Sequence, residues 1–104
     1  MKIVGISACP TGIAHTYMAQ EAIEKEGKRR GHDVKIETQG SMGIENELEQ
    51  EEIDAADAVV FAVSIAIEGE ERFEGKVEEN KLITIDPGEA IRKAKELFDK
   101  LESL

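Results

Sequence analysis

Cysteine is almost missing from this chain. One thiol in 104 residues excludes an internal disulfide and fits a reducing compartment. Basic charge is also in deficit: 13 Lys and Arg stand against 23 Asp and Glu, a formal charge of −10. Nucleic-acid binding needs a basic footprint, so that class is disfavoured, and partners with basic surfaces are favoured instead. Long hydrophobic runs are missing too. The longest, such as "AVVFAV", are far too short to cross a bilayer. The opening "MKIVGIS" lacks the length of a signal h-region and a cleavage site. No repeat or low-complexity segment is visible, and no His, Cys, Asp or Glu cluster has metal-ligand spacing, so neither metal nor cofactor is expected.

What remains is globular: 40% hydrophobic and 35% charged residues in a length suited to one modest core, expected as a single domain over residues 1–104. "KIVGIS" reads as a strand. From about Ala14 the pattern turns helical, with Ala14, Met18 and Ala22 grouped with Ala19 and Ile23 on an apolar side, and Met18 expected in the core. Lys28, Arg29, Arg30 and then Gly31 form a helix stop, cations beside the carbonyl end followed by a residue free to turn left-handed. "DVKIETQG" alternates Val34, Ile36 and Thr38 with Lys35 and Glu37, predicting an edge strand with one wet face. "GSMGIENELEQ" reads as a loop and "EEIDAA" as a short helix. "DAVVFAVS" is a continuous apolar run, the mark of a strand covered on both faces. "IAIEGEERFEGK" reads as a second loop and "KLITID" as a fourth strand. Asp86 then caps a closing helix with Pro87 at its first position. That helix carries Ala90, Ile91, Ala94, Leu97, Phe98 and Leu101 as an apolar stripe.

Strands alternating with helices predict an α/β domain of three layers, a four-stranded parallel sheet with helices on both faces. The order 2-1-3-4 puts the wet strand at an edge and the dry third strand inside. Strands one and three then become neighbours whose connections leave in opposite directions, a topological switch point. Ligands in such folds bind beyond the carboxyl ends of the strands there. Cys9 follows the first strand and so falls in that crevice. "QGSMG" and "IAIEGEERF" are expected to open onto the same end.

The loop from Cys9 runs into a helix N-terminus, where unpaired N–H groups and partial positive charge favour a thiolate and cradle an anion. A phosphoryl group is the natural candidate. Thr11 and Thr16 add hydroxyl donors, Gly12 lets the backbone approach, and Pro10 stiffens the turn. The cradle is expected to comprise Thr11, Gly12, Ile13, Ala14, His15 and Thr16. Cysteine phosphatases resemble Cys, five residues, Arg, then Ser or Thr. Here Cys9 is followed by "PTGIA", His15 and Thr16: the length matches and the bidentate arginine clamp is missing. The loop is suited to holding a phosphoryl group on sulfur and poorly equipped to hydrolyse it.

"ACPTGIAHTYMAQEAIE" resembles the active-site segment of the enzyme IIB component of the bacterial phosphoenolpyruvate-dependent sugar phosphotransferase system, fructose type. "ETQGSMGIENEL" and "ADAVVFAVSIAIEGEERFEGK" extend the resemblance along nearly the whole chain. It implies a cytoplasmic IIB domain whose cysteine, here Cys9, takes phosphate from a phosphohistidine on the IIA component. The phosphate then goes to a sugar, fructose by resemblance, bound by the membrane-embedded IIC component. The domain itself would not insert into the membrane but would associate with its inner face through IIC. Gln50 departs from the family pattern, which carries a capping Thr there.

Several positions keep two readings. His15 either bonds locally in the helix or donates to the phosphoryl group. Thr11 and Thr16 either cap the helix or contact phosphate. Gln39, Gly40, Ser41 and Gly43 form either a plain turn or part of the active end. Arg72 is either a surface residue or meets a partner's acid or the phosphate, and Glu68, Arg72 and Phe73 belong to a loop expected to help dock IIA or IIC. Phe98 reads as core and His32 as a turn residue. Three other functions remain open: a low-molecular-weight-phosphatase-like enzyme, a redox sensor lacking a resolving cysteine, and a regulatory phosphocysteine module.

Overall fold

A computed structural model describes residues 1–8, 13–40 and 43–104, without the side chains of residues 13 and 14. Alternating apolar positions and helix-stop signals produce eleven short elements in the described residues. They are β1 (Lys2–Ala8), α1 (Ile13–Arg29), β2 (Asp33–Gly40), β3 (Gly43–Glu45), α2 (Gln50–Ala55), β4 (Ala58–Val63), a 3-10 turn (Glu70–Phe73), α3 (Glu74–Glu78), β5 (Leu82–Ile85), α4 (Pro87–Arg92) and α5 (Ala94–Glu102).

The sheet order is β3-β2-β1-β4-β5. β1, β2, β4 and β5 are parallel, so the expected 2-1-3-4 arrangement holds with β4 and β5 as its third and fourth strands. The strand count does not hold: β3 adds a fifth, antiparallel to β2, pairing Thr38 with Glu45 and Gln39 with Ile44. The chain reverses after Gly40 and re-enters the sheet, which takes the carboxyl half of β2 off the edge.

The central strands are dry because both their faces are covered. Ile3, Ala58, Val60 and Ala62 pack with Ala19 and Ile23 of α1 and with Ala90, Leu97, Phe98 and Leu101 of α4 and α5. Val4, Ile6, Val59 and Phe61 pack on the other side with Leu48, Ile53, Ala56 and Phe73. Period-2 alternation along β1 and β4 thus supplies two cores, one per face.

Helix α1 ends as its sequence dictates. Gly31 adopts φ +80°, Gly31 N–H reaches Lys28 O at 3.0 Å, and His32 N–H reaches Gly27 O at 2.8 Å, a Schellman closure. Its buried face is the expected one at Ala19 and Ile23 and departs from it at Met18. Thr16, Ala19, Ile23, Glu26 and Gly27 are buried, while Met18 is 49% exposed. Gly27 sets this rotation. A Cβ there would lie 2.3 Å from Val34 Cγ2, so only glycine lets the helix approach β2 so closely. Met18 lies nine residues away, about two and a half turns, and therefore on the opposite side.

Three further expectations are corrected. The second loop contains ordered helical structure, because Gly69 at φ +73° opens the 3-10 turn and Phe73, fully buried, anchors it edge-on against Phe61 at 4.8 Å. The closing helix is interrupted at Lys93 (φ −126°, ψ 37°), although Asp86 caps it as expected, accepting from Gly88 N–H at 2.9 Å. The cap of α2 falls on Glu49 and not on Gln50, which occupies the first helical position and donates to Asp54 Oδ1 and to Arg72 O.

Candidate functional site

The topology creates one place where connections part. β1 leads to α1, which covers one face, while its neighbour β4 leads to the 3-10 turn, whose Phe73 packs on the other. The carboxyl ends of β1, β2 and β4 meet here, with Ala8 in register with Gln39 on one side and Val63 on the other. Cys9, Pro10, Thr11 and Gly12 connect β1 to α1 and lie outside the described residues, as does Ser41. Their predicted roles therefore have no geometry here, and the side chains of Ile13 and Ala14 have none either.

The described neighbours of that connection are specific. Ser64 N–H donates to Ala8 O at 3.2 Å, the carbonyl of the peptide bond leading into Cys9. Ser7 Oγ donates to Thr16 O at 2.8 Å and ties the first turns of α1 to β1. His15 is exposed. Thr16 is buried, and its hydroxyl has no hydrogen-bond partner among the described residues. Tyr17 donates its hydroxyl to Glu45, joining α1 to β3. The carboxylate raises the Tyr17 pKa, chiefly through this hydrogen bond.

Charge is distributed unevenly over the helix starts. α2, α3, α4 and α5 each carry a glutamate in the first turn: Glu51 and Glu52, Glu74, Glu89 and Glu96. α1 carries none. No carboxylate of its own first turn neutralises its N-terminal partial charge.

At the carboxyl ends of the strands, a buried polar cluster joins β2 to the segment that follows β4. Glu37 has no solvent exposure. Its Oε1 accepts from Arg72 Nη1 at 2.9 Å and from Leu48 N–H at 2.7 Å; its Oε2 accepts from Arg72 Nη2 at 3.1 Å and from Gln39 Nε2 at 2.6 Å. Arg72 also donates to Gly69 O at 2.8 Å and to Leu48 O, and its guanidinium lies 5.4 Å from the Phe73 ring centroid. Gln39 imitates a strand partner: its Nε2 donates to Glu68 O at 2.9 Å and its Oε1 accepts from Glu68 N–H at 2.8 Å. Burial pushes the Glu37 carboxyl up, but the hydrogen bonds from Arg72, Leu48 and Gln39 outweigh it, and the net shift is downward. The bonds to Glu37 raise the Arg72 pKa.

Two predicted positions change meaning. Arg72 is mostly buried and satisfied internally, so it is no surface residue awaiting a partner. Phe73 is core and presents nothing to a partner. Gln39 and Glu68 are hydrogen-bonded to each other beyond the carboxyl ends of the strands, while Gly40 is exposed at the end of β2. Sequence reasoning missed Glu37, whose alternation with Ile36 and Thr38 reads as solvent-facing. The available signal was Arg72, the one cation in the acidic stretch "IAIEGEERF". Among the described residues no group of three His, Cys, Asp or Glu is placed to hold a metal ion, and no helix is long and apolar enough to cross a membrane.

A doubly wound α/β domain with a cysteine loop at its switch point defines the class. The family model described as the PTS system, lactose/cellobiose specific IIB subunit, matches residues 4–100. The chain is 44% identical over 102 residues to the PTS system fructose-like EIIB component 2 of Escherichia coli K12, covering 98% of this chain and 92% of that protein. It is also 44% identical over 103 residues to the fructose-like PTS system EIIBC component of the same organism, covering 97% of this chain and 20% of that longer protein. A crystal structure of a domain from the fructose-specific IIABC component of Borrelia burgdorferi superposes with a TM-score of 0.88 at 43% identity, covering 96% of this chain and 91% of that one. The chain belongs to the IIB family of the phosphotransferase system, on the side of its fructose-like members.

Proposed function

We propose that this domain is a phosphoryl carrier in which Cys9 accepts phosphate from a phosphohistidine of a IIA component and passes it to a sugar bound by a membrane-embedded IIC component. The observation that carries this reading is the helix start beyond Cys9, alone among the described α-helices in having no carboxylate in its first turn. Family membership supports the partners: relatives carry the same unit joined to further components under the names EIIBC and IIABC. Fructose rests on the names of those relatives. Association with the inner face of the membrane follows from docking on IIC.

In the first step the Cys9 thiolate attacks phosphorus in line. The S–P bond forms as the N–P bond breaks, and the electron pair returns to the imidazole. Backbone N–H groups from residues 11–16 meet the three equatorial oxygens, with Thr11, His15 and Thr16 as candidate side-chain donors. In the second step a sugar hydroxyl attacks phosphorus, the S–P bond breaks and the thiolate is regenerated. The base that takes the hydroxyl proton belongs to the IIC partner. His15 in place of a clamping arginine disfavours attack by water, so the phosphocysteine persists until a sugar meets it.

Incubation with phosphoenolpyruvate, the general phosphotransferase proteins and IIA, read by intact mass, tests this. One phosphate on the wild-type chain and none on Cys9→Ser is the expected result. Peptide mapping that put the label on His15 or His32 overturns it. Robust Cys9-dependent turnover of p-nitrophenyl phosphate by the wild-type chain places a phosphatase first instead. Alkylation by iodoacetamide should titrate below the reference thiol pKa of about 8.5.

A further inference from the structure

The segment Ser64–Gly69 is held at both ends and projects between them. At its start, Ser64 N–H grips the Ala8 carbonyl at 3.2 Å. At its end, Gln39 takes both backbone groups of Glu68, and Arg72 takes Gly69 O from its seat on buried Glu37. Ile67 turns inward against Phe61 and Phe73 in the core on that face. Ile65, by contrast, is 40% exposed, and Ala66 beside it is exposed too. An apolar side chain is thus displayed within two residues of a bond to the peptide that leads into Cys9, on a loop whose ends have little freedom to retract it.

Rigid display of an apolar residue beside a reaction centre has a use if another protein must come to that centre. Attack in line places the donor's phosphorus about 3–3.5 Å from sulfur, so the donor protein must cover the rim around Cys9. Ile65 directly follows the residue whose N–H holds the carbonyl of Ala8, one residue before Cys9. Three exposed carboxylates, Glu68, Glu70 and Glu71, follow within six residues of it in the chain, which suits a donor face with an apolar centre and basic edges.

We propose that Glu37, Gln39 and Arg72 are positioning residues that hold Ile65 as a preformed docking contact for the phosphohistidine-bearing donor. This rests on the carrier reading above. The positioning residues touch neither phosphate nor donor; they act through the loop. Because the loop is already ordered, the donor does not have to fix it on binding, which lowers the entropy cost of association.

The test is steady-state phosphorylation of the full chain by the phospho-IIA donor, with KM for the donor and kcat measured separately. Ile65→Ala should raise KM at least about fivefold, the scale of truncating one important interface side chain, and leave kcat within about twofold. Gln39→Ala keeps the Glu37–Arg72 pair and frees Glu68; it should raise KM in the same direction with the fold intact by circular dichroism. The double variant Gln39→Ala/Ile65→Ala should be no worse than the worse single variant, because the clamp acts through the same contact. A merely structural clamp predicts independent, multiplying effects or none. Unchanged KM in Ile65→Ala, a loss confined to kcat, or full multiplication in the double variant overturns the proposal. A wild-type chain that accepts no phosphate overturns the carrier reading and this inference together, whereas normal wild-type transfer with any of those variant results removes this inference alone.

Discussion

Two carboxylates bridged by arginine stand at opposite ends of the sheet. At the carboxyl ends of the strands, Glu37 is fully buried and takes four hydrogen bonds, two of them a bidentate fork from Arg72. At the other end, in the last turn of α1, Glu26 takes Arg29 Nη2 and Arg30 Nε. Arg30 then reaches Asp99 and Glu102, each at 3.0 Å, and His32 joins Glu102 at 2.7 Å while its ring stacks on Phe98. The chemistry is nearly the same. The surroundings differ: Glu26 is nearly as buried as Glu37, but its outer partners Arg29 and Asp99 are 59% and 68% exposed, so water and salt screen the outer part of that network. The Glu37 cluster is less screened and joins β2 to the segment that follows β4. A buried pair is dear to break and need not be a large net source of stability, whereas an exposed one is cheap to break.

The largest effect should come from leaving Arg72 without its counter-charge. Glu37→Ala is expected to cost about 3–5 kcal/mol, a fall in melting temperature on the order of 15 °C or more for a domain of this size. Thermal denaturation followed by circular dichroism checks this. A loss no greater than that of an exposed pair would erase the contrast between the two ends. Arg72→Lys keeps the charge and gives up the fork, and should cost less, about 1–2 kcal/mol. If it matched Glu37→Ala, charge neutralisation would not be the main role of Arg72.

Acid should weaken both clusters. The Glu37 carboxyl is held below its ordinary value, and the bonds from Arg29 and Arg30 lower Glu26 to about 2. A carboxylate with a folded pKa below its unfolded value contributes fully above the unfolded value, near 4.5. That contribution is lost as pH falls through the folded one. Stability should therefore be flat near neutrality and fall from about pH 5 towards pH 2. Glu37→Gln should flatten part of that decline, measured as urea midpoints across the range. An unchanged acid limb in Glu37→Gln would mean that this carboxyl is not depressed in the fold.

The smallest effect belongs to the exposed outer members of the Glu26 network. Arg29→Ala should lower the melting temperature by less than Arg72→Lys, and high salt should shrink the difference from wild type further. A salt-insensitive loss as large as that of Arg72→Lys would mean that the two ends do not differ in screening.

Much of this was legible in local sequence. The continuous run "AVVFAV" read as a doubly covered strand and is one. Gly31 stopped its helix and Asp86 capped another, because each signal acts within a few residues of itself. The switch point followed from strand order, and Cys9 follows the strand at its centre. Met18 and Glu37 were misread for one shared reason. Periodicity locates a face, but what covers the face comes from elsewhere in the chain. Met18 lost its place in the core because Gly27 lets the other side of α1 approach Val34. Glu37 lost its solvent because Leu48 and Arg72 close over it.

By itself, then, the sequence determined the alternation of strands and helices, their stops and caps, and a lone thiol placed before a helix start free of carboxylates. These depend on backbone preferences and side-chain spacing within one or two turns. Only the tertiary structure decided that β3 folds back onto β2, that Phe73 anchors a loop in the core, and that Glu37 lies buried against an arginine 35 residues away. An ion pair between distant residues leaves no periodic trace in either segment, because its stability comes from the low-dielectric contact formed when the two are brought together.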